Sequence, residues 1–345
     1  MRGVVMHSAG DVRVEEREDP KIIEPTDAIV RLTATCICGS DLWPYRGIEP
    51  ADHQVMGHEY VGIVEEVGDA VEKVAVGDFV VGSFVVGSFV ISDNTCEICQ
   101  AGYQSKCVHA EFVAQTIGTQ AEKARIPFAD GTLVATPGQP DPDLVPHLLA
   151  ASDVLGTGWF AAVAAQAGPG KTVAVVGDGA VGLLGVVAAR QLGADRVVAM
   201  SRHESRQRLA VEYGATDIVT ERGDEGVARI KDLTDGLGAH SVIEAVGTQE
   251  SMMQAIRATR PGGHVGYVGV THGVELPGMD LFFSHVHLHG GPAPVRRFLP
   301  ELIDLIWNRR IDPGKVFDLD LPLDRAADAY TAMDERRAIK VLLHP

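Results

Sequence analysis

A glycine-rich turn with the sequence VAVVGDGAVG limits the possible folds of this chain more than any other feature. A short β-branched run leads into Gly177-x-Gly179-x-x-Gly182, and an apolar helical pattern follows at once. In this context Gly177 permits a tight turn, Gly179 lets the backbone approach a pyrophosphate, and Gly182 lets helix and sheet pack closely. Ala180 and Val181 occupy the first turn of the helix, whose N-terminus offers N–H groups and partial positive charge. The turn therefore predicts a dinucleotide site; a simple βα turn is the alternative, which the following strand RVVAM disfavours by its spacing.

Strands and helices alternate from about residue 155 to 290. The short apolar runs KTVAVVG, RVVAM, DIV, SVIEAVG and GHVGYVGV read as strands, and helical patterns such as AVGLLGVVAARQLG separate them. Short β-branched strands that alternate with helices predict a doubly wound parallel sheet, buried on both faces.

The rest of the chain has a different pattern. Residues 1 to about 150 contain β-rich runs such as DAIVRLTAT and EYVGIVEEVG, which are typical of a small barrel or sandwich. Because 345 residues suit two domains, this stretch is the second one. The final stretch has an amphipathic helix near 296–309 and then strand, helix and strand; it either extends the sheet domain or returns to the first domain. The tandem repeat VVGSF, at 80–84 and 85–89, predicts a bulge or longer loop because five residues reverse the in/out alternation.

Charge and cysteine usage exclude several function classes. The chain has 47 acidic and 30 basic residues, and its net charge of −17 repels phosphate backbones and anionic membranes. We see no apolar h-region in MRGVVMHSAGDVRVEE and no run long enough to span a bilayer, so we expect a cytoplasmic protein. Five cysteines, clustered at positions 36, 38, 96, 99 and 107, indicate metal binding rather than a disulfide framework.

The position that selects the cofactor follows the glycine turn by about twenty residues. An NAD site usually has an acidic residue there, whereas this chain has Ser201 and Arg202. A hydroxyl can hydrogen-bond a 2′-phosphate and a guanidinium can hold it with charge-assisted bonds, so the pair favours NADP(H) over NAD(H). Arg206 and Arg208 are expected to form a solvated helix face.

Two further motifs, CICGSD and GHEYVG, supply Cys38, His58 and Glu59. Each has an alternative structural interpretation as a small buried thiol or a satisfied core histidine. Together with the downstream glycine turn, the sequence resembles the zinc-dependent medium-chain alcohol dehydrogenases over essentially its whole length. The resemblance rests on Gly57-His58-Glu59, on Cys38-Gly39-Ser40-Asp41 and on the glycine turn.

The resemblance implies a β-rich, GroES-like catalytic domain formed by residues 1–153 and 293–345, and a Rossmann domain formed by 154–292. It also implies a catalytic zinc held by Cys38, His58 and Asp153, with Glu59 as a neighbouring carboxylate and a fourth position for substrate. A helix N-cap is the alternative role of Asp153.

By the same resemblance, Ser40 is the hydroxyl that takes the substrate proton, and Thr157 packs against the nicotinamide. Trp43 stands where many members of the family carry a proton-relay histidine. We therefore expect the proton to leave by another path, such as the cofactor ribose and water, and Trp43 either narrows the substrate pocket or is a core residue.

The family also has a structural zinc lobe with four cysteines. Laid over SDNTCEICQAGYQSKC, its ligands fall on Asp93, Cys96, Cys99 and Cys107, and a carboxylate is a chemically reasonable substitute for one thiolate. The alternative is an empty or partly occupied lobe.

The expected function is reversible hydride transfer between an alcohol (or aldehyde or ketone) and NADP(H), in a homo-oligomer, tetramer or dimer. The alternatives are an NAD-dependent polyol or amino-alcohol dehydrogenase of the same superfamily and, more remotely, a non-catalytic nucleotide-binding scaffold or redox sensor.

Overall fold

The structure is a computed structural model that describes residues 1–83, 90–112 and 117–345. It contains two compact units: Met1–Asp153 together with Pro294–Pro345, and Val154–Ala293. Most of the tandem VVGSF repeat lies outside the described residues.

The described strands, numbered along the chain, are β1 Arg2–Ser8, β2 Asp11–Glu16, β3 Ala28–Cys36, β4 Gln54–Val55, β5 Glu59–Val67, β6 Phe79–Ser83, β7 Val90–Ile91, β8 Glu111–Phe112, β9 Lys123–Ile126, β10 Leu133–Ala135, β11 Thr172–Val176, β12 Arg196–Met200, β13 Asp217–Val219, β14 Ala239–Glu244, β15 Thr259–Tyr267, β16 His287–Gly290, β17 Phe317–Pro322 and β18 Lys340–His344. The described α-helices are α1 Leu42–Tyr45, α2 Glu97–Gln100, α3 Ala129–Thr132, α4 Val145–Ala151, α5 Val154–Ala164, α6 Ala180–Gln191, α7 Glu204–Glu212, α8 Gly223–Asp232, α9 Gln249–Ala258, α10 Gly278–Ser284, α11 Val295–Trp307 and α12 Ala326–Asp334.

The first unit is built around a seven-stranded sheet with the order β10-β6-β5-β3-β18-β17, in which β9 also pairs with β3. A three-stranded sheet, β2-β1-β4, accompanies it. Strand β3 is buried at most positions because it has neighbours on both sides, and its partner β18 comes from the end of the chain. The last stretch of sequence therefore contributes two strands, β17 and β18, to the first unit.

The second unit has a six-stranded parallel sheet with the order β13-β12-β11-β14-β15-β16. Counted from β11 as the first strand, this is the order 3-2-1-4-5-6 of the doubly wound dinucleotide-binding fold. Strand β11 is buried along four of its five positions, as expected for a sheet covered on both faces. The predicted doubly wound domain is confirmed.

No single helix in the described ranges is long and apolar enough to cross a membrane; the helical segments Pro142–Ala151 and Val154–Ala164 pass that test only as a bent pair, by length and composition.

Candidate metal and dinucleotide sites

Four predicted site residues of the first unit come together. One ligand atom from each of Cys38, His58, Glu59 and Asp153 lies within 4.8 Å of the others, and all four side chains are buried. Cys38 follows the end of β3, His58 precedes β5, and Asp153 follows α4. Because β3 and β5 are paired, residues that flank their neighbouring ends are held at one edge of the sheet.

The spacing of three of these side chains suits a tetrahedral metal. His58 Nε2 lies 3.3 Å from Asp153 Oδ2, and Cys38 Sγ lies 3.9 Å from the same oxygen. Zinc bonds of about 2.0–2.3 Å at tetrahedral angles place ligand atoms roughly 3.3–3.8 Å apart. The donor set, one thiol, one imidazole and one carboxylate, therefore fits zinc with a fourth position for a further ligand.

Charge in this cluster also favours a cation. Burial raises the pKa of Cys38, against the opposing influence of His58. Burial lowers the pKa of His58, but the charges of Cys38 and Asp41 outweigh it and raise that pKa well above its usual value. A raised imidazole pKa means that the surrounding thiol and carboxyl groups stabilise a positive charge at this position. A bound metal ion would supply that charge.

Gly57 fixes the backbone immediately before His58. Its φ of +98° is a conformation that L-residues with side chains rarely adopt, and a Cβ there would lie 2.4 Å from the backbone nitrogen of Gln120. A glycine is therefore required on steric grounds at position 57, immediately before His58.

Lys340, which sequence reasoning missed, is the cation opposite Glu59. Its Nζ donates to Glu59 Oε1 at 2.7 Å and to the carbonyl of Ile37 at 3.0 Å, and both charged side chains are at most 1% exposed. Burial raises the pKa of Glu59, while Lys340 lowers it. Glu59 Oε2 is buried without a hydrogen-bond partner among the described residues, so one oxygen is anchored and the other is available.

A second set of contacts that the sequence did not predict lies on the Nδ1 side of His58. Asp41 Oδ1 lies 3.5 Å from His58 Nδ1, while Asp41 Oδ2 accepts from the Cys38 amide and from Gln120 Nε2. Tyr330 in turn donates to Gln120 Oε1 at 3.0 Å. A carboxylate at Nδ1 favours the tautomer that carries its proton on Nδ1 and can bind a metal through Nε2.

Ser40, the predicted proton acceptor, lies between Cys38 and Asp41 in the sequence, and its exposed fraction is 6%. Its Oγ is buried and has no hydrogen-bond partner in the described part of the chain. A hydroxyl in this state suits contact with a bound polar ligand.

The three lobe cysteines form a separate cluster. Cys96 Sγ lies 3.4 Å from Cys99 Sγ and 3.9 Å from Cys107 Sγ, and Cys107 Sγ lies 3.3 Å from Asp93 Oδ1. The sulfur separations and the Cys107–Asp93 separation are close to the roughly 3.3–3.8 Å of tetrahedral zinc ligands. The three cysteines have ligand atoms within 4.8 Å of one another, whereas Asp93 forms such a group with Cys107 and His109 and not with all three cysteines. Burial raises the pKa of Asp93, but hydrogen bonds from Thr95, His109 and Cys107 outweigh it and lower the pKa to about 2.

The glycine turn of the second unit has the expected geometry. Gly177 has a φ of +121°, and a Cβ on Gly182 would lie 2.0 Å from the Gly177 carbonyl oxygen. Gly179 is the N-cap of α6, so Ala180 and Val181 begin the helix as predicted. Thr157 lies buried in α5.

The cofactor-selecting residues adopt an arrangement that sequence reasoning missed. Ser201 is 2% exposed, and its hydroxyl donates to Asp178 Oδ2 at 2.8 Å. Arg206 lies 3.4 Å from Asp178 Oδ1 with only 12% of its side chain exposed, so its expected place on a solvated face is wrong. Arg208 does lie on that face, and Arg202 is exposed.

A Rossmann-order sheet and a buried Cys–His–Asp cluster in one chain are the combination expected of a metal-dependent dehydrogenase. The family descriptions Alcohol dehydrogenase GroES-like domain and Zinc-binding dehydrogenase match residues 24–137 and 180–308. Zinc-type alcohol dehydrogenase B of Aspergillus flavus is 36% identical, with 99% of this chain and 81% of the relative covered. An NADP-dependent isopropanol dehydrogenase of Entamoeba histolytica is 30% identical, with 98% and 93% covered.

Among solved structures, alcohol dehydrogenase TADH from Thermus sp. ATN1 superimposes with a TM-score of 0.89 at 33% identity, covering 100% of this chain and 99% of that one. The chain therefore belongs to the zinc-dependent medium-chain dehydrogenase/reductase family, the family of the zinc-type alcohol dehydrogenases. The predicted pairing of a GroES-like domain with a nucleotide-binding domain is confirmed.

Proposed function

We propose that this protein is a zinc-dependent alcohol dehydrogenase or carbonyl reductase that transfers hydride reversibly between an alcohol and NADP(H). The observation that carries the proposal is the buried cluster of Cys38, His58 and Asp153, whose spacing and donor types fit a catalytic zinc. Family membership supports the reaction class. Zinc would supply a Lewis acid for the alcohol or carbonyl oxygen, and the nicotinamide would accept or donate the hydride.

The protein's own residues have distinct roles in this proposal. Cys38, His58 and Asp153 bind the metal and leave one position for substrate. Ser40 Oγ would accept the hydroxyl proton of the substrate while its own proton passes on to the cofactor ribose and water; this oxygen is buried and has no hydrogen-bond partner among the described residues. Glu59, anchored through one oxygen by Lys340, keeps its second oxygen free to approach the metal when ligands exchange.

NADP(H) is the proposed cofactor because Arg202 is exposed at the end of β12 and no acidic residue occupies the Ser201 position. The name of the Entamoeba relative points the same way. One observation favours an NAD-dependent polyol or amino-alcohol dehydrogenase instead: the Asp178 carboxylate lies 2.8 Å from the Ser201 hydroxyl. A carboxylate in that place would bind a ribose hydroxyl and repel a 2′-phosphate.

A structural zinc held by Asp93, Cys96, Cys99 and Cys107 completes the proposal; in a closed four-ligand site it has no position for substrate. The homo-oligomer and the cytoplasmic location stay predictions.

The decisive experiment combines metal analysis with a panel of alcohols and carbonyl compounds assayed with both cofactors. We expect tightly bound zinc, activity that zinc restores after chelation, and a higher kcat/KM with NADP(H). A strong NAD(H) preference would refute the cofactor assignment. A zinc-free chain that stays inactive after zinc is supplied would refute the enzyme itself and leave a nucleotide-binding scaffold or redox sensor.

A further inference from the structure

Asp93 stands apart from the three cysteines of its cluster because its carboxylate is held by other side chains. Thr95 donates to Oδ1 from its backbone amide at 3.0 Å and to Oδ2 from its hydroxyl at 2.7 Å. His109 Nδ1 lies 2.7 Å from Oδ2 as well. A carboxylate accepts hydrogen bonds in about four directions, so three of them are taken.

The fourth direction faces Cys107, one of the three clustered cysteines. Cys107 Sγ lies 3.3 Å from Asp93 Oδ1, in the position of a thiol that donates its proton to that oxygen. A metal ion replaces thiol protons when it binds. Oδ1 is therefore the oxygen that can bind the metal, and Oδ2 is the oxygen that fixes the carboxylate's orientation.

We propose that His109 is a positioning residue of the second metal site: it holds Asp93 Oδ2 so that Oδ1 points towards the cysteine cluster and binds the metal as its fourth ligand. This inference rests on the proposed structural zinc. His109 also acts on a second ligand, since its backbone amide donates to Cys107 Sγ at 3.4 Å. One residue thus supports both the carboxylate and the neighbouring thiolate.

Exposure limits what the contact with Asp93 can add to the stability of the fold. The His109 side chain is 56% exposed, whereas Asp93 is 21% exposed, so the imidazole does not contribute a buried core residue. An exposed His–Asp pair without another task adds only about 0–1 kcal/mol to stability. Outer contacts of metal ligands have a larger effect on metal affinity, typically about 10–100-fold.

Four variants test the proposal: His109→Ala, His109→Asn, Asp93→Cys and Asp93→Cys combined with His109→Ala. Zinc per chain is measured across a series of buffered free-zinc concentrations, with the Cys38 site as internal reference. Cobalt-substituted protein adds a second readout, because thiolate-to-cobalt absorption grows with the number of bound thiolates. We expect His109→Ala to weaken the cysteine-cluster site about 10–100-fold and to leave the reference site unchanged.

The other variants separate positioning from ligation. Asparagine keeps an N–H donor near the position of Nδ1, so His109→Asn should retain most of the affinity. In the Asp93→Cys background a fourth thiolate replaces the carboxylate, the cobalt absorption should rise, and His109→Ala should have little further effect.

Three results would overturn the inference. Equal losses in His109→Asn and His109→Ala would make the imidazole a direct ligand. If His109→Ala lowers zinc affinity equally in the wild-type chain and in the Asp93→Cys variant, His109 stabilises the loop as a whole and does not position the Asp93 carboxylate. Absence of zinc from the cysteine cluster of the wild-type chain would remove the site. Catalytic inactivity with the His109 effect intact would refute the proposed enzyme and support the inference.

Discussion

Replacing Lys340 with methionine tests the buried charge pair most directly. Methionine keeps much of the side-chain volume but removes the ammonium group that donates to Glu59 Oε1 at 2.7 Å. Glu59 is 0% exposed, so its carboxylate would stay buried without its cation. Removal of one partner from a buried ion pair costs about 3–5 kcal/mol. We expect that loss in the free energy of unfolding of the zinc-loaded protein.

The assay is urea unfolding, with the midpoint and slope compared between variants. A lower midpoint at unchanged slope reports lost stability rather than altered compactness. The matched control is the double variant Lys340→Met with Glu59→Gln, which replaces both charges. Because a buried pair exchanged for neutral groups is often close to neutral, the double variant should recover most of the loss.

For the metal-free protein, the sign of the pH dependence of the free energy of unfolding follows from the pKa shift of Glu59. Burial raises the pKa of Glu59, and loss of Lys340 removes the group that lowers it. A carboxyl with a raised folded-state pKa is favourable when protonated, and that stability is lost as pH rises through the folded pKa. The difference in the free energy of unfolding between wild type and Lys340→Met should therefore become smaller as pH falls. A loss below about 1 kcal/mol, or a double variant as unstable as the single one, would refute the reasoning.

Further predictions concern the two predicted sites. Asp153→Ala should abolish zinc retention at the catalytic cluster and hydride transfer with it, while zinc at the cysteine cluster stays; metal analysis showing both ions retained would contradict the ligand assignment. Asp178→Asn should raise the kcat/KM ratio of NADP over NAD on the order of tenfold, equivalent to about 1.4 kcal/mol of lost charge repulsion, and an unchanged ratio would count against that repulsion. Gly57→Ala should destabilise the first unit by about 1–3 kcal/mol in thermal or urea unfolding, since its Cβ would meet the Gln120 backbone; an unaffected variant would contradict the steric argument. Trp43→His should alter the pH profile of alcohol oxidation, and an identical profile would exclude a relay role for this position.

Local sequence patterns predicted the parts of the fold whose contacts are formed between residues close together in the sequence. The glycine turn and the strands around it predicted the Rossmann-order sheet, because each βα unit is contiguous in sequence. The motifs around Cys38 and His58 identified their side chains through the resemblance to a known family. The structure adds a steric reason for one of these motifs, because a Cβ on Gly57 would meet the Gln120 backbone.

Long-range contacts explain most of what was missed. Lys340 sits in the apolar run IKVLLHP, and only the pairing of β18 with β3 brings it to the Ile37 carbonyl and to Glu59. A lone lysine between apolar strand positions was the available signal, since lysine is almost never fully buried unless paired. Arg206 was misplaced for a similar reason: helical periodicity shows which face it shares, but not that Asp178 of the glycine turn would lie opposite.

The pairing of Glu59 with Lys340 also has a consequence for the order of synthesis. The two residues are 281 positions apart in the chain. At translation rates of about 5–20 residues per second, roughly 14–56 s separate the synthesis of the carboxylate from that of its cation. The whole nucleotide-binding unit, Val154–Ala293, is made within that interval. Until residue 340 has been synthesised, the Glu59 carboxylate of the first unit has no lysine to pair with. The second unit is complete before then and can fold first.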